Sequence, residues 1–136
     1  MAANDKPIFP LVPRVSWAAI TAANTTTNGT GTVVTVFTAG AEGARVDSIV
    51  CKALGTNVAT VLRLLLNNGS ANTTAANNTL IAEVALPATD ASNVNVISGE
   101  IVLQINRSID ADFRVYAVLG TAVASGWQLT AFGGNY

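Results

Sequence analysis

Short runs of apolar and β-branched residues alternate along the chain with runs of Asn, Thr, Ser and Gly. Residues 32–38 show the pattern most clearly, because valine and threonine dominate there between Asn28-Gly29 and Gly40. β-Branched side chains fit a pleated surface, and Asn-Gly is a typical dipeptide of tight turns. No stretch keeps the 3.6-residue apolar period of an amphipathic helix. The pattern therefore predicts an all-β protein.

The turn signals divide the chain into eight or nine short strands, which suits a jelly roll. The strands are expected at residues 15–22, 32–38, 45–54, 60–66, 79–86, 100–105, 113–119 and 127–132, with a short strand or edge piece at 94–97. We therefore predict a jelly-roll-like antiparallel β-sandwich that forms a single domain over residues 14–136. An immunoglobulin-like sandwich is the second interpretation, although Cys51 has no second cysteine to form the bridge of antibody-type domains.

Residues 1–13 are predicted to form an extended N-terminal arm. Three of the four prolines lie in this stretch, and proline excludes both a helix interior and a central strand. The bulky apolar residues between the prolines are unusual for a disordered tail. The arm is therefore expected to lie against its own domain or against a neighbouring molecule. Its candidate interaction residues are Ile8, Phe9, Leu11 and Val12.

Residues 60–66 predict a strand that is apolar on both faces, because leucine and valine surround Arg63 on either side. One face is expected in the core, and the other is expected to be covered by another subunit of a homo-oligomer. The candidate interaction residues here are Arg63, Leu64 and Leu66, and Arg114 is a further candidate in a later strand. A charge within a strand either faces solvent or pairs across a subunit interface, and both interpretations stay open.

The composition favours a surface that becomes an interface. Half of the residues are hydrophobic and only 11% are charged, whereas ordinary soluble domains carry about 25% charged residues. Uncharged polar groups are easier to desolvate than full charges. The net charge of −1 and the scattered basic residues argue against a nucleic-acid partner. Neither a signal peptide nor a membrane-spanning segment is expected, because the apolar runs are short.

Few residues are available for catalysis. The chain has no histidine and a single cysteine, Cys51, so neither a histidine-activated nucleophile nor a zinc site can be assembled. We therefore predict a protein that is not an enzyme and needs no cofactor. Asp110 and Asp112 are candidates for calcium ligands, although acidic residues at this spacing more often cap turns. Glu83 and Glu100 are expected to be exposed or to pair between subunits rather than to hydrolyse glycosides.

The aromatic side chains are candidates for a sugar-binding platform. They are Trp17, Trp127, Tyr116 and Tyr136. The two-residue period of the surrounding strands places Trp17 and Trp127 more naturally in a core or an interface. Cys51 lies in an apolar run and is expected to be a small core residue.

Three strings resemble the small structural proteins of tailed bacteriophages. They are residues 29–40 (GTGTVVTVFTAG), residues 43–47 (GARVD) and residues 59–69 (ATVLRLLLNNG). The resemblance covers roughly residues 8–136, and it lies in texture and in these strings rather than in a catalytic motif.

The resemblance implies a virion protein with a jelly-roll domain, of the head decoration (cement) type. Such a protein is made in the host cytoplasm and binds the outer capsid surface as a homotrimer, so the major capsid protein is its implied partner. No functional residue of the family can be transferred one by one, because the role is spread over a surface. The alternative is a receptor- or carbohydrate-binding module of a tail fibre or baseplate.

Overall fold

The computed structural model describes residues 9–97 and 100–136, and within this part of the chain it confirms an all-β protein. Eight strands and one 3-10 turn occur there. They are β1 (Val12–Ile20), β2 (Val34–Thr38), β3 (Ala44–Ala53), β4 (Thr60–Asn67), the 3-10 turn Ala75–Asn77, β5 (Asn78–Leu86), β6 (Ile101–Ile109), β7 (Arg114–Leu119) and β8 (Trp127–Asn135).

Two four-stranded antiparallel sheets form the predicted β-sandwich. The first sheet has the strand order β1-β8-β3-β6, and the second has the order β2-β7-β4-β5. In each sheet an early strand pairs with a late one, so that β1 pairs with β8 and β2 with β7, while β3 pairs with β6 and β4 with β5. Strands from the first and the second half of the chain are therefore hydrogen-bonded to each other in both sheets.

Two sequence expectations about the elements are wrong. Residues 94–97 form no strand, and Val94 and Val96 are instead exposed in the loop that connects β5 to β6. The predicted arm also ends earlier than expected, because Val12 and Pro13 already belong to β1 and lie opposite Asn135 and Gly134 of β8. Pro13 is tolerated because β1 is an edge strand of its sheet.

The core lies between the two sheets and follows the two-residue alternation of the strands. In β8, Trp127, Leu129 and Ala131 are fully buried while the residues between them are partly exposed. Leu62 and Leu64 of β4 meet this layer from the second sheet. Cys51 belongs to the same core, which confirms its predicted role as a small buried side chain.

Gly133 is required where β8 pairs with β3 near Val46. A Cβ atom at this position would lie only 2.0 Å from the backbone carbonyl oxygen of Arg45. The two strands can approach this closely only because the residue has no side chain. The close approach coincides with a register shift in β3 between Val46 and Ser48.

The second face of β4 is covered by the chain itself, so the expectation that another subunit covers it is wrong. Leu65 is fully buried in a small cluster with Tyr116 and Val118 on the outer side of the second sheet, and Val33 packs against this cluster. The segment that leads into β2 therefore supplies the cover.

Asparagine side chains hold this covering segment in place. Asn24 donates hydrogen bonds from Nδ2 to the carbonyl oxygens of Thr30 and Thr32, at 2.8 and 2.7 Å. Asn72, between β4 and β5, donates in the same way to Gly29 and Gly31. The runs rich in Asn and Thr are therefore bonded structural segments rather than simple linkers.

The two long sides of the sandwich differ. On one side β1 and β2 pack together, where the Ser16 hydroxyl donates to the carbonyl oxygen of Val36 and the Arg14 guanidinium lies 5.7 Å from the centre of the Phe37 ring. On the other side the edge strands β5 and β6 stand apart, and a groove opens between the sheets. One side is therefore closed and the other leaves part of the core accessible.

Candidate functional site

The outer face of the first sheet carries a group of exposed or partly exposed apolar side chains, which we call the outer patch. It consists of Val15, Trp17, Val50, Val102 and Phe132. The strand register brings them together, because Val15 lies opposite Phe132 while Trp17, Thr130, Val50 and Val102 follow each other across the four strands. The Trp17 side chain is the most prominent of these, with 67% of its surface exposed.

The outer patch has the features of a protein-binding surface. Its centre carries no charge, and the polar residues within it are Ser48 and Thr130, which have small side chains. The Arg45–Asp47 ion pair (2.7 Å) and Lys52 lie in the adjoining rows of the sheet. An uncharged apolar centre with a polar rim is the usual anatomy of an interface. Trp17 lies on the edge strand β1, and a large exposed aromatic side chain in an interface is a frequent source of binding energy.

The described part of the predicted arm extends the same sheet. Leu11 donates its backbone N–H to the carbonyl oxygen of Asn135 at 2.9 Å, so the chain runs beside β8 before β1 begins. The side chains of Phe9, Leu11 and Val12 are all exposed, as an interaction role requires. Ile8 lies outside the described residues. The described arm residues therefore lie beside the end of β8, and the strand alternation places Val12 on the face of Ser16 rather than on the outer face of Val15 and Trp17.

The candidates in β4 have different environments. Arg63 donates from Nε to a carboxylate oxygen of Glu83 at 2.7 Å in the neighbouring strand β5, so the ion pair lies within one chain. Leu64 is fully buried in the core, and the expectation that it contacts a partner is wrong. Leu66 is partly buried and lines the groove between β5 and β6. The strand alternation separates Arg63 from the two leucines, which share the core face, and Leu66 differs from Leu64 because it borders the open groove.

Arg114 and the remaining aromatic residues do not gather into one platform. Arg114 lies 3.5 Å from the Tyr116 hydroxyl on the covered second sheet. Trp127 is fully buried, whereas the Tyr136 hydroxyl shares a hydrogen bond with Ser108. The prediction of a core role is confirmed for Trp127. Of the two tryptophans, Trp17 is exposed to solvent and Trp127 is not.

The acidic candidates lie apart from the outer patch. Asp110 and Asp112 lie in the turn between β6 and β7, where Asp112 adopts a φ of 62° and its N–H donates to Gly40. Among residues 9–97 and 100–136, no group of three His, Cys, Asp or Glu side chains is arranged to hold a metal ion. Within the same residues, no helix is long and apolar enough to cross a membrane.

The Cys51 thiol is expected to be unreactive in the folded protein, because burial raises its pKa to about 12 and only the thiolate is a nucleophile. A disulfide reagent such as DTNB at pH 8 should label it only after unfolding in guanidinium chloride. The unfolded thiol has a pKa of about 8.5, so its contribution to stability is complete below that pH and is lost as the pH rises toward 12. Rapid, stoichiometric labelling of the native protein would contradict this expectation.

Sequence reasoning missed two features of the open side of the sandwich. The first is the groove between β5 and β6, which has a volume of about 410 Å³. The second is the exposed pair Val94 and Val96 in the β5–β6 loop. The groove depends on how far two edge strands stand apart, which no local pattern encodes. The valine pair was assigned to a strand because its alternation with asparagine imitates one.

No protein-family model matches the chain, and no curated protein matches it in sequence. The outer patch and the groove between β5 and β6 are therefore the features that bear on function.

Proposed function

We propose that the protein is a non-enzymatic structural component of a bacteriophage shell, a decoration or cement protein that binds the outer capsid surface as a homo-oligomer, in the simplest case a trimer. The observation that carries the proposal is the outer patch. On the second sheet, Leu65, Tyr116 and Val118 are covered by the chain's own segment around Val33, whereas the outer face of the first sheet presents Trp17, Val15 and Phe132 to solvent. A partner is needed to cover the outer face of the first sheet.

Two further observations support this assignment. The pairing of β1 with β8, β2 with β7, β3 with β6 and β4 with β5 is the arrangement expected when a long antiparallel hairpin is wrapped into a jelly roll, a fold common in viral shells. The low content of charged residues also lowers the cost of removing water from a large contact area.

The proposed mechanism is thermodynamic. A protein that binds across the seams between capsid subunits binds the assembled shell and not its separated parts. Binding therefore shifts the equilibrium toward the intact shell by mass action, by about 2.7 kcal/mol per site when the free protein is at 100 times its dissociation constant. Many equivalent sites on a symmetric shell multiply this effect, and no chemical step is required.

The test compares phage particles that carry the protein with particles from a strain whose gene for it is deleted. Loss of the protein is expected to lower the temperature at which the particles release DNA. It is also expected to make the particles more sensitive to salt. Adding the purified protein back should restore resistance in a saturable way. Equal heat and pressure resistance of the two particles would refute the proposal.

A carbohydrate-binding module is the second candidate, and the surroundings of Trp17 are the observation that favours it. The exposed indole lies beside Thr130 and near Gln128 on the same sheet face, and an aromatic ring flanked by a hydroxyl and an amide can stack on a sugar and bond its hydroxyl groups. Binding to defined glycans on an array, lost in the Trp17→Thr variant, would support this candidate over the cement role.

A further inference from the structure

The loop between β5 and β6 presents two valines to solvent, and we call residues 90–97 of this loop the valine finger. Val94 and Val96 are 92% and 89% exposed, which makes them the most exposed large apolar residues in the described chain. Isolated exposed valines are ordinary, but two of them in one turn form a small apolar tip. The finger also carries Asp90 at its base.

The finger is held in its shape from both sides. Before it, Thr89 exchanges backbone hydrogen bonds with Asn57 in both directions, and the Ala91 N–H donates to the hydroxyl of Thr56. Within it, the Ser92 hydroxyl accepts hydrogen bonds from the N–H groups of Val94 and Asn95. At its C-terminal end, Ile97 packs against the core. A tip that is ordered before binding loses less conformational entropy when it binds.

The groove on the open side of the sandwich is an apolar slot with a cationic rim. Its floor consists of core residues that the neighbouring strands leave partly accessible, among them Leu66, Ala82 and Ile105. Ile81 lies at its edge as the extra residue of a bulge in β5, and Arg107 lies on β6. A bulged edge strand disfavours pairing with another strand, so the groove suits inserted side chains better than an added strand.

The finger and the groove complement each other in chemistry. The finger offers the apolar side chains of Val94 and Val96 and, at its base, the carboxylate of Asp90. The groove offers an apolar floor and the guanidinium of Arg107. We propose that the valine finger of one copy inserts into the groove between β5 and β6 of a second copy, with Val94 and Val96 on the apolar floor and Asp90 facing Arg107. The interaction surface is thus made by two copies of this chain.

This inference deepens the proposed function, because it names the contact that holds the homo-oligomer together. The finger and the groove are different surfaces on the same side of the molecule. Repeating the contact around a rotation axis closes a ring, and a two-fold axis instead gives a reciprocal pair in which each copy supplies one finger and one groove. In both arrangements the outer patch on the first sheet stays free for the shell.

The experiment measures self-association of the full chain by analytical ultracentrifugation over a range of protein concentrations. The Val94→Ser/Val96→Ser variant is expected to raise the dissociation constant of the oligomer at least about 30-fold, since it removes the apolar surface that both valines would bury in the groove. Its unfolding midpoint should stay unchanged at concentrations where the parent is monomeric, because both side chains are exposed in the single copy. Val15→Thr, a change in the outer patch, is the control and should leave self-association as it is.

A charge exchange tests the orientation of the contact. Asp90→Arg and Arg107→Asp are each expected to weaken self-association about tenfold, and the double variant should recover most of the loss, because opposed charges are restored. In addition, a mixture of Val96→Cys and Ile81→Cys proteins should form a mixed disulfide dimer on oxidation, which neither protein alone should form efficiently. The native Cys51 is buried and does not interfere.

Two results would overturn the inference. One is a parent protein that stays monomeric at all accessible concentrations, and the other is an unchanged dissociation constant in the double serine variant. Failure of the proposed function looks different, because a protein can self-associate through the finger and still give no protection to any shell. Conversely, protection of shells by a protein whose finger variants assemble normally would retain the proposed function and reject the finger.

Discussion

Replacing Asn57 by alanine is expected to lower the free energy of unfolding by about 3 to 4 kcal/mol. The Asn57 side chain is buried and links three loops at one end of the sandwich. Its Nδ2 donates to the carbonyl oxygens of Gly55 and Gly126 and to the Thr89 hydroxyl, and its Oδ1 accepts from the N–H groups of Ser125 and Gly126 at 2.9 and 2.8 Å. Alanine would remove the acceptor of the Ser125 and Gly126 N–H groups, whereas the Gly55 carbonyl keeps its bond from the Thr89 hydroxyl and the Gly126 carbonyl its bond from the Leu54 N–H.

Urea unfolding of the parent and the variant gives the measurement, with the midpoint and the slope fitted separately. Asn93→Ala, a change of the same type at an exposed loop position, is the matched control and should alter the free energy by less than about 0.5 kcal/mol. A loss below about 1 kcal/mol in Asn57→Ala would mean that water replaces the amide and that the three loops do not depend on it.

The Asn57→Asp variant separates the two halves of the amide. Its carboxylate can still accept from Ser125 and Gly126, but it places an oxygen against the carbonyl groups that Nδ2 served. Burial next to these carbonyl oxygens should raise the pKa of the new carboxyl group above its unfolded value of about 3.9. The variant should therefore be most stable in acid and lose stability relative to the parent as the pH rises.

The Trp17→Thr variant is expected to bind shells about 30 to 1000 times more weakly than the parent, which corresponds to the 2 to 4 kcal/mol of an aromatic anchor. Its stability should hardly change, because Trp17 is largely exposed and threonine keeps the strand preference of the position. Binding of the fluorescently labelled protein to shells that lack it gives the dissociation constant directly.

Two controls make this result specific to the outer patch. Leu80→Thr changes an exposed leucine on the second sheet and should bind shells like the parent. Trp127→Ala removes a fully buried tryptophan and should destabilise the domain by about 3 to 5 kcal/mol. Normal shell binding by Trp17→Thr would remove the outer patch from the proposed contact.

Local patterns were sufficient to predict most of the sandwich. The strands around Ile49, Val102 and Leu129 follow the two-residue alternation, and the turn at Gly43, where φ is 89°, follows the glycine signal. The strand ends were less predictable, because pairing with a neighbour extends β6 to Ile109 and β8 to Asn135 beyond their apolar runs.

The candidate site was less accessible to sequence reasoning, because exposure depends on what packs above each residue. Trp17 and Trp127 occupy similar apolar contexts, yet one faces solvent and the other lies in the core. β1 is an edge strand whose outer face nothing in the described chain covers, whereas β8 directs Trp127 between the sheets. Leu65 and Leu64 differ for a related reason, since one is covered by the segment around Val33 and the other by the opposite sheet.

The pairing of β1 with β8 has a consequence for synthesis of the protein. β1 is synthesised before the other described strands, but its neighbour in the first sheet is β8, the last of these strands. Trp17 therefore meets Thr130, and Val15 meets Phe132, only after translation has passed residue 135. A polypeptide that ends before β8 lacks the neighbours that assemble this surface, so it cannot form the outer patch.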